Sequence, residues 1–120
     1  MKLDALKDKA RKLNWPDELI DELINSNIEL FKDLVDNGYQ VEVVSSNDIV
    51  KLSTYLGGWW KVIFGDVDVI DVKPYRKDAK TPPSTEYEIR LKPGTLIQYY
   101  VDYRFPGKEI FVKKLFYCKK

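Results

Sequence analysis

Leu3, Leu6, Ala10 and Leu13 fall at spacings of three, four and three along the start of the chain, the step of one helical face. They predict a short helix ending near Asn14. Pro16 suits the first turn of a second helix, where its missing N–H has no partner to lose, and Asp17 and Glu18 follow at the positively polarised end. Leu19, Ile20, Leu23, Ile24, Ile28, Phe31, Leu34 and Val35 carry an apolar stripe down to Gly38, which reads as a C-terminal cap. Asn25-Ser26-Asn27 interrupts that stripe. Ser26 with Glu29 three residues later has the form of a capping box, so the stretch reads as two helices meeting at an angle.

After Gly38 the period changes to two. Tyr39 to Val43 reads as a strand, and Ser46-Asn47-Asp48 is expected to cap a short helix near residues 47–56, before the Gly57-Gly58 break. Strands follow at 59–64, 67–74, 85–92, 95–104 and 109–118. They are joined by Gly65-Asp66, a long loop from Arg76 to Thr85, Pro93-Gly94 and Pro106-Gly107. In EYEIRLK, Tyr87, Ile89 and Leu91 face one way while Glu86, Glu88, Arg90 and Lys92 face the other. The last three strands are predicted as an antiparallel meander. The expected class is α+β: a single domain over 1–120, with a helical part (1–38) packed on one face of a curved, mainly antiparallel sheet formed by a mainly β part (39–120). The loop YRKDAKTPPST is expected to be the most mobile segment.

Composition narrows the chemistry more than it narrows the fold. At 120 residues with 44% apolar and 32% charged side chains, the chain is long enough to bury a core. No apolar run approaches the roughly 20 residues needed to span a bilayer, and Met1-Lys2-Leu3-Asp4 lacks the apolar core of a signal peptide. A cytoplasmic location without membrane contact is the expectation. Cys118, alone, cannot form an internal disulfide. There is no histidine. That excludes Ser/His/Asp and Cys/His nucleophile systems, histidine-ligated zinc and imidazole acid–base catalysis.

Charge is unevenly placed. Residues 1–70 carry eight Lys/Arg against thirteen Asp/Glu, a net of −5; residues 71–120 carry twelve against six, a net of +6. The basic half can meet a polyanion, or the two halves can simply neutralise each other. Within it, Arg90, Lys92, Arg104, Lys108, Lys113, Lys114, Lys119 and Lys120 lie among Tyr99, Tyr100, Tyr103, Phe111 and Tyr117. Cations for phosphates beside rings for bases is the composition that grips single-stranded RNA or DNA. Lysine alternating with aromatics also describes any half-exposed strand whose edge is protected by charge.

The order YEIRLK, turn, LIQYYVDY, turn, EIFVKKLFYCKK resembles the C-terminal three strands of the RelE/HigB-type toxin superfamily, small RNA-cutting proteins of toxin–antitoxin systems. Tyr87, Glu88, Ile89 and Arg90 match the family's aromatic-Glu-aliphatic-Arg strand, and Phe116, Tyr117, Lys119 and Lys120 approximate its basic end. The similarity spans about 35 residues; Gln98 stands where the family usually has arginine, and residues 39–75 have no counterpart. The resemblance implies RNA cleavage without histidine, with Arg90, Lys113, Tyr117 and Lys119 as catalytic candidates. Tyr99, Tyr100, Tyr103, Arg104, Lys114 and Trp59 are the binding candidates. Read structurally instead, Arg90 balances Glu86 and Glu88, and the last lysines are a solvated tail.

In GGWWKVIFGD, Trp59 and Trp60 must point to opposite faces, so one indole is exposed unless something covers it. The plainer arrangement sends Trp60, Val62 and Phe64 into the core and tucks Trp59 under a loop. Asp66, Asp68 and Asp71 do not have the spacing of a metal site, with Asp68 and Asp71 expected on opposite strand faces, and no glycine-rich phosphate loop is present. No metal or cofactor is expected. Three functions are consistent with the residues: an RNA-directed toxin or its inactive relative; a non-enzymatic inhibitor using its Tyr/Trp-rich sheet on a protein target; and a cone-shaped sheet whose tyrosines line a small-molecule pocket. The partner is thus RNA or a protein, an antitoxin or an inhibited target, with a homodimer also open.

Overall fold

The computed structural model describes residues 2–105 and 107–120. Pro106, half of the predicted Pro106-Gly107 turn, and the side chain of Lys108 lie outside the described residues. Three helices, α1 (Leu3–Lys12), α2 (Asp17–Ser26) and α3 (Ile28–Asp36), precede seven strands: β1 (Gln40–Val44), β2 (Val50–Tyr55), β3 (Trp59–Phe64), β4 (Val67–Tyr75), β5 (Ser84–Leu91), β6 (Leu96–Phe105) and β7 (Lys108–Cys118). The class is α+β, with the helices N-terminal. The chain divides into two compact units, Met1–Glu42 and Val43–Lys120.

In the first unit the helix ends follow from side-chain and backbone chemistry. Asn14 takes a left-handed φ of 66°, and the N–H groups of Asn14 and Trp15 return to the carbonyls of Arg11 and Ala10. Gly38, at φ 78°, does the same for α3: its N–H and that of Tyr39 bond to Val35 and Leu34. Both ends therefore satisfy carbonyls that a helix would otherwise leave open. The break between α2 and α3 is where the stripe is interrupted, but its cap is Asn27, not Ser26. The Asn27 side chain accepts from Leu30 N–H at 3.1 Å, whereas the Ser26 hydroxyl donates back to the Glu22 carbonyl. A serine at the end of one helix satisfies a carbonyl behind it and leaves the next residue to cap. Trp15 anchors this unit: its ring meets Phe31 edge-on at 5.4 Å, and its indole N–H donates to the Tyr39 carbonyl at 2.9 Å.

The second unit departs from the prediction in two places. Residues 50–55 form a strand, not the helix expected near 47–56. Ser45, Asn47 and Asp48 close a turn, in which the Asp48 carboxylate accepts from Ser45 N–H at 2.8 Å, so the capping side chain points backward. Beyond it Val50 and Leu52 are buried and Lys51 is exposed; alternation with β-branched residues outweighs the capping signal. The second departure is the sheet itself. The strands form two sheets, one ordered β1-β7-β6-β3 and one ordered β2-β5-β4. Strands β6 and β7 are the expected antiparallel hairpin, but β5 does not continue it: β5 is the centre of the other sheet, antiparallel to both β2 and β4.

The reason lies in what the apolar faces need. Ile89 and Leu91 of β5 join Val50 and Leu52 of β2, and Ile97, Tyr99 and Val101 of β6 with Phe116 of β7, in one buried cluster. Strand β5 therefore faces β6 across a core instead of lying beside it. The crossing is locked at Thr95, which is fully buried: its hydroxyl donates to the Asp66 carbonyl at 2.8 Å and accepts from Asp66 N–H at 2.9 Å. Tyr99 ties the sheets again, its hydroxyl donating to the Ser53 carbonyl and accepting from Ser53 N–H.

Candidate functional site

On β3 alternation sends neighbouring tryptophans apart. Trp60 packs against the shared core, its ring 5.4 Å from Tyr87. Trp59 is 40% exposed, not covered by a loop, and Val62, expected inside, is also exposed. Trp59 lies opposite Tyr100 in the β3–β6 register, and Tyr100 lies opposite Lys113 in the β6–β7 register. The Trp59 and Tyr100 rings stack at 5.7 Å and 30°. Phe111, diagonal to Tyr100 on β7, meets it edge-on at 6.3 Å and 82° and is 58% exposed. Diagonal neighbours in an antiparallel pair are within reach for aromatic side chains, so three rings form a row across three adjacent strands.

Cations flank the row. Lys61 Nζ sits 5.6 Å over the Trp59 ring and Lys113 Nζ 5.5 Å over that of Phe111. At exposed sites each such contact contributes about 0.5–1 kcal/mol, enough to bias the ammonium groups toward the rings. Arg104 pairs with Asp102 at 3.2 Å, and Asp102 also accepts from the Tyr100 hydroxyl at 3.3 Å. Desolvation first, and then Asp102, raises the Tyr100 phenol above its ordinary value. It is a neutral hydrogen-bonding group at physiological pH. Toward the other end of the same face Leu96, Gln98, Leu115 and Tyr117 are buried, so the open part is bounded.

Of the residues singled out in the sequence, Trp59, Tyr100, Arg104 and Lys113 share this outer face. Tyr99 and Tyr103 point to the opposite face, Tyr99 into the core and Tyr103 against Tyr55 at 5.9 Å. Lys114 is on that side as well, its Nζ 5.5 Å over the Phe116 ring. Arg90 is on β5, opposite Asp68 in the second sheet. Tyr117 is fully buried, and Lys119 lies just past the end of β7 and is exposed. Arg90, Lys113, Tyr117 and Lys119 thus do not share one surface. Lys61 was missed, although its two-residue spacing from Trp59 on a predicted strand places it on the same face.

The acidic run also differs from expectation. The β4–β5 register shifts between Val69 and Asp71, so Asp68 and Asp71 oppose Arg90 and Glu88 and stand on the same face. A bulge at Ile70 cancels the parity count. Asp68 pairs with Lys92 at 4.0 Å and Asp71 with Lys73 at 3.6 Å. Among the described residues no group of three or more His, Cys, Asp or Glu side chains is placed to hold a metal ion. No helix among them is long and apolar enough to cross a membrane. Burial, and then Asp48, raises the Cys118 thiol, which makes it a poor nucleophile.

No family model matches the chain, and no curated protein matches it. The solution structure of amebosin is similar over 67% of this chain and 89% of its own, at 12% identity and a TM-score of 0.30. A likeness of that degree carries no weight for fold or function.

Proposed function

We propose that this protein binds single-stranded RNA on the outer face of β3, β6 and β7 and holds it without cutting it. The observation that carries this reading is the Trp59–Tyr100–Phe111 row with Lys61 and Lys113 at its flanks. Sheets that bind single-stranded RNA present exposed aromatic faces on which unpaired bases stack, while nearby cations neutralise the phosphates. Trp59 and Phe111, the exposed rings of the row, offer the stacking surfaces, and the Tyr100 hydroxyl, which donates to Asp102, keeps an acceptor lone pair for a base edge. Binding without cleavage is favoured because Arg90 belongs to a different sheet from Lys113 and Tyr117 is enclosed. In-line attack of a 2′-hydroxyl needs its acid, base and charge-stabilising groups within hydrogen-bond reach of one phosphate.

The test is fluorescence anisotropy with short labelled RNA across a salt series, followed by gel analysis of the same RNA. Saturable binding that weakens with salt, and RNA left intact, is the expected result. RNA cleavage lost on Arg90→Ala or Lys119→Ala would restore the toxin reading; absence of binding at low salt would end the RNA reading altogether.

A second reading has its own observation. Strand β4 is the edge of the three-stranded sheet, and Val69, Ile70 and Val72 on it are exposed. Apolar side chains along an unpaired edge suit a protein partner that adds a strand or covers them, as an inhibitor or regulator would. Co-purification of a specific protein that is lost on Val72→Lys, with RNA binding unchanged, would favour it.

A further inference from the structure

The connection between β4 and β5 is tied to itself. One oxygen of the Asp78 carboxylate accepts from the N–H groups of Lys80 and Thr81 at 2.8 and 2.9 Å and from the Thr81 hydroxyl at 2.9 Å. Arg76 donates to the carbonyls of Asp78 at 3.2 Å and Ala79 at 3.1 Å. The Thr81 hydroxyl, most of all, holds the Asp78 carboxyl below its ordinary value. Both charges are thereby committed to the loop. The remaining cations, Lys77 and Lys80, are in no ion pair among the described residues.

Beside this loop is a cavity of about 400 Å³ lined by Tyr55, Tyr75, Ile110, Lys77, Lys80 and Thr81, among others. The volume is within the range of small-molecule sites. One wall is aromatic and aliphatic. The other carries Lys77, Lys80 and the Asp78 carboxylate, with the Thr81 hydroxyl donating to that carboxylate at 2.9 Å, so two ammonium groups outweigh one acidic group.

We propose that this cavity binds a small anion carrying a planar ring, of the class of a nucleoside monophosphate, with the phosphate on Lys77 and Lys80 and the ring against Tyr55 and Tyr75. A neutral apolar ligand would make no use of the two exposed ammonium groups at the rim, and a bare inorganic anion would leave the tyrosine wall in water. A ligand with both parts satisfies both walls. The site shares no residue with the RNA face, so the two readings stand or fall separately.

Isothermal titration of the full chain with AMP, adenosine and inorganic phosphate tests the assignment. AMP is expected to bind saturably, and adenosine and phosphate each about tenfold or more weaker, the loss that follows from removing charge-assisted hydrogen bonds or ring contacts. Lys77→Gln combined with Lys80→Gln should weaken AMP by about tenfold or more while leaving adenosine unchanged. Trp59→Ala should leave AMP unchanged. Both lysines are exposed, so the unfolding temperature of the double variant should match the parent and rule out misfolding. AMP binding no tighter than phosphate, insensitive to the lysine changes, sensitive to Trp59→Ala, or absent at millimolar ligand would each overturn the proposal.

Discussion

Trp59 and Trp60 are neighbours in sequence with opposite duties, and replacing each by alanine separates those duties. Trp60 packs against Tyr87 at 5.4 Å within the shared core. Truncating a fully buried tryptophan costs about 3–5 kcal/mol; Trp60 is partly buried, which scales the loss to about 2 kcal/mol. For a chain of this size that lowers the unfolding temperature by about 6–10 °C. Trp59 is 40% exposed and its main contact is the stack on Tyr100 at 5.7 Å. Losing that pair costs about 1 kcal/mol or less. RNA affinity should respond in the reverse order. Removing a stacking platform costs about 1–3 kcal/mol per base, so Trp59→Ala should weaken binding by about 5- to 150-fold. Trp60→Ala should leave affinity near the parent value at temperatures where it is folded. Circular dichroism melts and anisotropy with the same RNA read both quantities. Equal losses of stability with unchanged RNA affinity for Trp59→Ala would refute the assignment of the two faces.

Three further outcomes follow from single positions. Gly65 has a φ of 94°, and an added Cβ would lie 2.3 Å from Thr95 Oγ1 and 2.6 Å from its Cα; left-handed strain and overpacking together should cost about 2–5 kcal/mol in Gly65→Ala, read by urea denaturation. Tyr99→Phe removes the hydroxyl that bonds Ser53 N–H and C=O, costing about 1–3 kcal/mol at neutral pH. Desolvation raises the Tyr99 phenol, so the stability tied to its neutral form is fully present below about pH 10, the unfolded value, and is lost as pH rises through the folded one; the gap between parent and Tyr99→Phe should therefore narrow in alkali. Asn14 holds a left-handed φ of 66° at the end of α1, so Asn14→Gly should be neutral or slightly stabilising, whereas Asn14→Val should lose about 1–2 kcal/mol in the same denaturation assay.

The helices and most strands were legible because their signals are local: the three-and-four spacing of Leu3, Leu6 and Ala10, the left-handed stop at Gly38, and the strict alternation of Tyr87, Ile89 and Leu91. What failed depends on distant partners. Residues 50–55 are too few for periodicity to outvote a capping pattern, and only the burial of Val50 and Leu52 against the other sheet decides them. That β5 crosses to a second sheet instead of pairing with β6 is invisible along the chain, because a turn such as Pro93-Gly94 suits either course. The bulge at Ile70 reversed a parity argument that was sound for an unbroken strand. On the candidate site, parity placed Trp59, Tyr100, Arg104 and Lys113 together once the register was known. It could not show that Tyr117, on the same alternation, is enclosed while Phe111 is 58% exposed.

The most direct test of the proposed RNA face is an amide and indole chemical-shift titration of the isotope-labelled protein with a short single-stranded oligoribonucleotide. Shifts concentrated at the Trp59 indole and at Lys61, Tyr100, Phe111 and Lys113, with the Trp15 and Trp60 indoles little changed, are the predicted result. Shifts confined to the helices or to β4, or none at saturating RNA, would contradict it.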